Sequence, residues 1–219
     1  MSGIRSFHIN RGFTRRETLG LAGALALAQV LPAHASDSIG EVIDAKGDVV
    51  KMQNDVETAI KTGAPLVNND LVATGKRSFA SMRLGADTKI LMGENTEVML
   101  DSFLAEQGGV IELVSGDMVF DRPEGTPKID LTIRTTFGQI GVRGTRFFTG
   151  KSRGTFAVFV EHGLVEVKSG ETLRKVGPGE GVDIATDAKT RSLFGGDMSE
   201  TKKWGKGRIE EAYRSVGLL

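Results

Sequence analysis

Cysteine is missing from all 219 residues, which removes disulfides, thiolate metal sites and thiol nucleophiles whatever compartment the chain occupies. Histidine is nearly missing. Of the three, His8 and His34 fall in the first 35 residues and leave His162 by itself, too few for the paired imidazoles of a zinc or iron site. We expect a structural part for His162, and no metal or cofactor. Net charge is absent too, with 28 basic and 28 acidic residues. Arg5, Arg11, Arg15 and Arg16 against Glu17 put +3 in the first 35 residues, so the remainder carries −3, which argues against nucleic acid as a partner. Catalytic signatures are lacking as well: there is no Gly-x-Ser-x-Gly elbow, no His-Glu-x-x-His helix and no phosphate loop. The expectation is a protein that is not an enzyme. Stacked-strand scaffolds do host polysaccharide-active enzymes that work with Arg, Lys or paired carboxylates, and composition leaves that alternative open.

What is present begins with an export pattern. A basic start is followed by an apolar run from Leu19 to Leu31, then by Ala33-His34-Ala35, the small-x-small pattern that signal peptidase accepts. Cleavage is expected after Ala35. The run is 13 residues long and rich in Gly and Ala, whereas roughly 20 strongly apolar residues are needed to cross a bilayer, so no permanent membrane anchor is expected. Thr14-Arg15-Arg16-Glu17-Thr18-Leu19 resembles a twin-arginine signal, departing from it at Thr18 and Gly20; ordinary secretion is the alternative. Both routes end outside the cytoplasm, and the expected location is the periplasm.

Proline is scarce at 5 residues while glycine reaches 29, which fits short strands joined by tight turns. Ala80, Met82 and Leu84 alternate with Ser81 and Arg83, the period of a half-buried strand, and Gly85-Ala86-Asp87 supplies turn chemistry. Ile90 to Met92 and Val98 to Leu100 follow the same plan around Gly93-Glu94-Asn95-Thr96. One phrase recurs: Val42 to Val50 around Gly47, Ile111 to Val119 around Gly116, and Val158 to Val167 around Gly163. Each copy reads as a β-hairpin whose glycine supplies positive φ. Val176 to Ile184 places Pro178-Gly179 between strands, and strand signals fade beyond Thr186. In the tail, Ser199 is a candidate helix cap, and Trp204, Ile209, Tyr213 and Val216 share a face of a short helix expected around Gly207 to Val216. Docking of that face on the β core is expected, with a partner-binding helix as the alternative.

Ile133-Arg134-Thr135-Thr136-Phe137-Gly138-Gln139-Ile140-Gly141-Val142-Arg143-Gly144-Thr145-Arg146-Phe147 resembles the signature of the FecR domain family, an Ile-Gly-Val-Arg-Gly-Thr-x-Phe stretch. The likeness extends from about residue 40 to 185. It implies an all-β domain of short antiparallel strands and repeated hairpins, solenoid-like or stacked-sheet in character, with the short C-terminal helix added. The expected divisions are a signal peptide at 1–35, a FecR-like β domain at 36–190 and a tail at 191–219. The resemblance also implies a setting in signalling between outer-membrane transporters and sigma factors. About 15 residues precede the apolar run, too few for a domain that holds a sigma factor, so the expectation is the extracytoplasmic module alone.

Gly141, Arg143, Gly144, Thr145 and Phe147 of the signature are candidate site residues. Arg143 could hold a carboxylate or phosphate, but a structural part is the leading expectation. Arg134, Arg143, Arg146, Lys151 and Arg153 lie within twenty residues that contain no acid, which makes Arg146, Lys151 and Arg153 candidate contacts for an anion or a partner; a solvated face is the alternative. The expected function is a non-catalytic periplasmic binding or scaffold module that engages an envelope protein of the receptor or transporter class, the alternative being a binder of cell-wall polymer or an anionic ligand.

Overall fold

One long hairpin organises the molecule: β12 (Gly138–Ser152) and β13 (Thr155–Ser169) pair along their lengths, interrupted by register shifts between Arg143 and Phe147. The computed structural model describes residues 38–186 and 197–219; the signal sequence and its cleavage point at Ala35 lie outside the described residues. Before the shift, β12 takes β11 (Asp130–Thr135) as its second neighbour, and after it takes β10 (Met118–Asp121). The hairpin therefore belongs to two halves of a sheet whose strands are nearly all antiparallel.

The first half continues outward from β11 through β9 (Gly108–Ser115), β8 (Glu97–Leu104), β5 (Asp70–Thr74) and β2 (Val49–Gln53) to β3 (Val56–Ala59), with β14 (Thr172–Val176) on the other side of β13. The β9–β11 pair is parallel. The second half runs from β10 through β7 (Thr88–Met92), β6 (Phe79–Leu84) and β1 (Gly40–Lys46) to β4 (Pro65–Leu66), with β15 (Glu180–Ile184) and β16 (Lys202–Lys203) beyond β13. The sheet curls so that both halves contribute to one core. Val72, Leu100, Ile111, Ile133 and Val167 from the first half are buried with Met82, Ile90, Phe120, Phe147 and Val158 from the second. Alternation along each strand explains this: Val98 and Leu100 point inward while Met99 between them is only half-buried.

Around β10, β12 and β13 the second half is buried on both faces. Met118 and Phe120 enter the shared core, while Val119, Phe148, Ala157 and Phe159 form a separate apolar layer with Trp204, Ala212 and Val216. Those last residues come from the C-terminal segment, whose helix α1 spans Lys206–Ser215. The face read from the sequence is thus docked on the sheet. The cap was misread. Gly205, in extended conformation and with no side-chain bond, precedes the helix, and Ser199 instead receives the Asp183 N–H at 3.0 Å. Gly217, with φ of 75°, ends it.

The recurrent glycine phrases need correction. The strands flanking Gly47 do not pair with each other: β1 pairs with β4 and β6, and β2 with β3 and β5. The same holds for β9 and β10 around Gly116. Each glycine is a corner where the chain leaves one half of the sheet for the other, and Gly163 turns the same corner inside β13. Positive φ is present, at 78°, 87° and 84°. A second requirement was invisible in the sequence. A Cβ on Gly47 would meet the Ser78 side chain, its Cβ at 3.0 Å; one on Gly116 would meet Thr96. One on Gly163 would lie 2.9 Å from the Thr145 Cα. Each corner is pressed against a hydroxyl residue of its neighbour. True hairpins occur elsewhere, including the one at Gly85-Ala86-Asp87 between β6 and β7.

Candidate functional site

The FecR-like signature is the segment that carries β12 from one half of the sheet to the other. Ile140 and Val142 enter the core. Gly144, with φ of 62°, has nothing within 4 Å of a built Cβ, so its need for glycine is conformational. Thr145 is buried, its carbonyl accepts the Arg122 N–H at 3.0 Å, and its hydroxyl has no partner among the described residues. Phe147 is buried and stacks on Phe120 at 5.5 Å between centroids. Gly141 leaves room for a Cβ, whose nearest atoms would lie 3.8 and 3.9 Å away on Glu166. Arg143 is exposed beside a hollow of about 590 Å³ that Lys128, Asp130, Leu164, Glu166 and Lys175 also line.

The structure disperses the basic stretch and supplies acids to it from other strands and from helix α1. Arg134 faces Asp101 at 3.3 Å. Arg146 lies 3.2 Å from Glu161 and 3.7 Å from Asp121, with its guanidinium 5.8 Å from the Tyr213 ring. Arg153 pairs with both carboxylate oxygens of Glu211 at 3.0 Å, which raises the guanidinium pKa and lowers that of Glu211. Lys151 makes no ion pair among the described residues; its main-chain N–H donates to Asp117 Oδ1 at 2.6 Å. His162 stands 3.8 Å from Glu124. Arg146 and Arg153 therefore help seat helix α1, while Lys151 stands apart at a cavity.

That cavity, of about 390 Å³, has an apolar floor from Leu113, Phe137 and Phe156 and a polar rim of Glu94, Asp117 and Lys151. Phe137 and Phe156 lie 4.7 Å apart. Burial pushes the Asp117 carboxyl above its ordinary range despite the Lys151 hydrogen bond. No element of sequence reasoning drew these residues together, because they come from four separate turns.

Two further polar groups were missed. Arg122 is buried at 2% exposure, donating to the Pro127 carbonyl at 2.8 and 3.1 Å and to Thr88 Oγ1 at 2.9 Å. Asp183 accepts the Arg208 guanidinium, one contact at 3.1 Å, and the Thr155 hydroxyl at 2.8 Å. Burial alone would raise the Asp183 pKa, but the Arg208 and Thr155 hydrogen bonds together with nearby positive charge hold it below the usual carboxylate range. Arg208 also lies over the Trp204 ring, 3.8 Å from its centroid. No spacing rule pairs residues 25 positions apart.

Comparison with known proteins agrees with the signature. Residues 70–166, from the start of β5 into β13, match the family described as FecR protein. No curated protein matches. Among solved structures, two crystal structures of a candidate anti-sigma factor from Parabacteroides distasonis ATCC 8503 align with 18% identity and a TM-score of 0.49, over 64% of this chain and 62% of that one. The chain thus spans under two thirds of that protein's length. No helix among the described residues is long and apolar enough to cross a membrane.

Proposed function

We propose that this chain is an exported, non-catalytic FecR-type module that engages a protein of the bacterial envelope in sensing or signalling. The observation that carries this reading is an asymmetry between the two halves of the sheet. The outer face of the second half is covered by the C-terminal segment and helix α1 around β10, β12 and β13, whereas that of the first half is covered by no element among the described residues. Val56, Leu104, Val114, Leu164 and Leu173, each 40% exposed or more, all belong to the first half. Among the described residues β14 pairs only with β13, so its other edge offers backbone N–H and C=O groups to a partner strand, with Leu164 and Leu173 exposed beside it at 41% and 51%.

The signature residues support the same reading in a negative way: Gly144, Thr145 and Phe147 are used in the crossing, which leaves recognition to faces and edges. Arg146, Lys151 and Arg153 remain proposed contacts, with the acids beside Arg146 and Arg153 favouring a protein of mixed charge over an anionic polymer. The polymer or anion alternative rests on Arg143, which makes no ion pair among the described residues and shares its hollow with Lys128 and Lys175.

A photo-crosslinking side chain at position 173, activated in intact cells, tests the proposal. Reproducible covalent capture of one envelope protein, lost with Leu164→Glu at unchanged thermal stability, is the expected result. Recovery of cell-wall fragments alone, or of nothing, sinks it, and steep salt dependence together with loss in Arg143→Ala would mark the polymer alternative.

A further inference from the structure

Gly141 is a glycine that the fold itself does not use. It lies inside β12 in extended conformation, outside the set of positive-φ residues, and a Cβ there would meet only Glu166, at 3.8 and 3.9 Å. A glycine within a strand forfeits packing and costs conformational entropy. Where neither a dihedral angle nor a crowded neighbour requires it, the remaining use is close approach of another molecule to the backbone. The register shows what surrounds that approach. Arg143, two residues on, shares the face of Gly141; Leu164 lies across from Arg143, Glu166 across from Gly141, and Lys175 across from Glu166. With Lys128 and Asp130 at the entry to β11, these side chains wall the hollow of about 590 Å³, and Gly141 is part of its lining.

We propose that this hollow binds a small organic monocarboxylate whose carbon body lies over Gly141 and against Leu164. Its volume falls within the roughly 300–1,000 Å³ of small-molecule sites. Lys175 and Glu166 pair with each other at 3.4 Å, so their charges cancel. What is left is Arg143 and Lys128, whose side chains make no hydrogen bond or ion pair among the described residues, against the single carboxylate of Asp130. Two cations against one acid leave an excess of one positive charge, which one carboxylate neutralises. The planar guanidinium fork of Arg143 suits that group, which it can hold through two parallel hydrogen bonds. A phosphate dianion or a polyanion would set its further charge against Asp130 and Glu166, which selects against both. Leu164, 41% exposed, supplies an apolar wall for the carbon body. Arg143 is exposed as well, so binding requires no opening of the core.

The test is calorimetric titration of the full chain with 4-methylpentanoate, alongside its neutral amide 4-methylpentanamide and inorganic phosphate. Saturable binding of the carboxylate is expected, with the amide and phosphate each weaker by about tenfold or more. Arg143→Gln should weaken the carboxylate by about tenfold, and Lys128→Met by about threefold. Gly141→Ala separates a ligand's need for glycine from the fold's: its methyl group should intrude on the ligand and weaken binding by about tenfold, while the melting temperature stays the same or rises. Absence of saturable binding, amide or phosphate binding as tightly as the carboxylate, an unchanged affinity in any of the three variants, or a lowered melting temperature in Gly141→Ala each overturns the proposal. The titration needs no partner protein, so its failure leaves the interaction-module reading intact.

Discussion

Glycine at a corner answers to two separate demands, and they can be measured apart. Gly163 has φ of 84° and a neighbouring backbone atom 2.9 Å from where a Cβ would stand, so Gly163→Ala should lose about 3 kcal/mol in urea unfolding, from strain plus displaced backbone. Gly144 has φ of 62° and open space, so Gly144→Ala should cost only the left-handed penalty of about 1–2 kcal/mol, and Gly144→Asn less. Equal losses at the two positions would contradict this account. Asp183 gives a pH prediction at the same scale. Its folded pKa is depressed, so the stability it contributes is present above the unfolded value of ~3.9 and is lost as pH falls through the folded value. Asp183→Asn should lower stability at neutral pH and flatten that acid limb of the stability curve.

Helix α1 is held at its beginning by aromatic packing and along its length by ion pairs. Trp204 stacks on Phe159 at 4.9 Å and lies under Arg208, whereas the Arg153–Glu211 pair is largely exposed. Trp204→Ala should therefore cost about 3 kcal/mol, and Glu211→Gln far less because water screens that pair, both read from thermal or urea melts. Loss of the Trp204 anchor should also uncover Phe148 and Phe159, detectable as binding of a hydrophobic dye. A dye signal that stays flat while stability falls would show that the helix remains seated by its ion pairs.

For the whole molecule, export and partner engagement belong together in the proposed reading. Replacing Arg15 and Arg16 by Lys should retain the protein in the cytoplasm, as judged by fractionation, if the twin-arginine-like pattern directs it. Normal export of that variant would assign the signal to ordinary secretion and leave the periplasmic location standing. The dispersal of the basic stretch also belongs to this scale. Arg153 meets Glu211 across 58 residues, and with Arg134 on Asp101 and Arg146 on Glu161 a region that is purely basic along the chain is partly neutralised in space.

Much of this protein was legible along the chain because its signals are local. Alternation at Ala80, Met82 and Leu84 set a strand and its buried face, the Ile140 to Phe147 stretch marked the FecR domain, and Trp204, Tyr213 and Val216 marked a docked helix. Positive φ at Gly47, Gly116 and Gly163 was legible for the same reason. What those glycines join was not. A backbone at positive φ looks alike whether the next strand folds back on the last one or departs for the other half of the sheet, and that choice is made by hydrogen bonds to strands far along the chain. The tertiary structure alone decided it, and with it the acids that neutralise Arg146 and Arg153 and the burial of Arg122. Each depends on groups brought together from distant segments, and no periodicity in the sequence records their meeting.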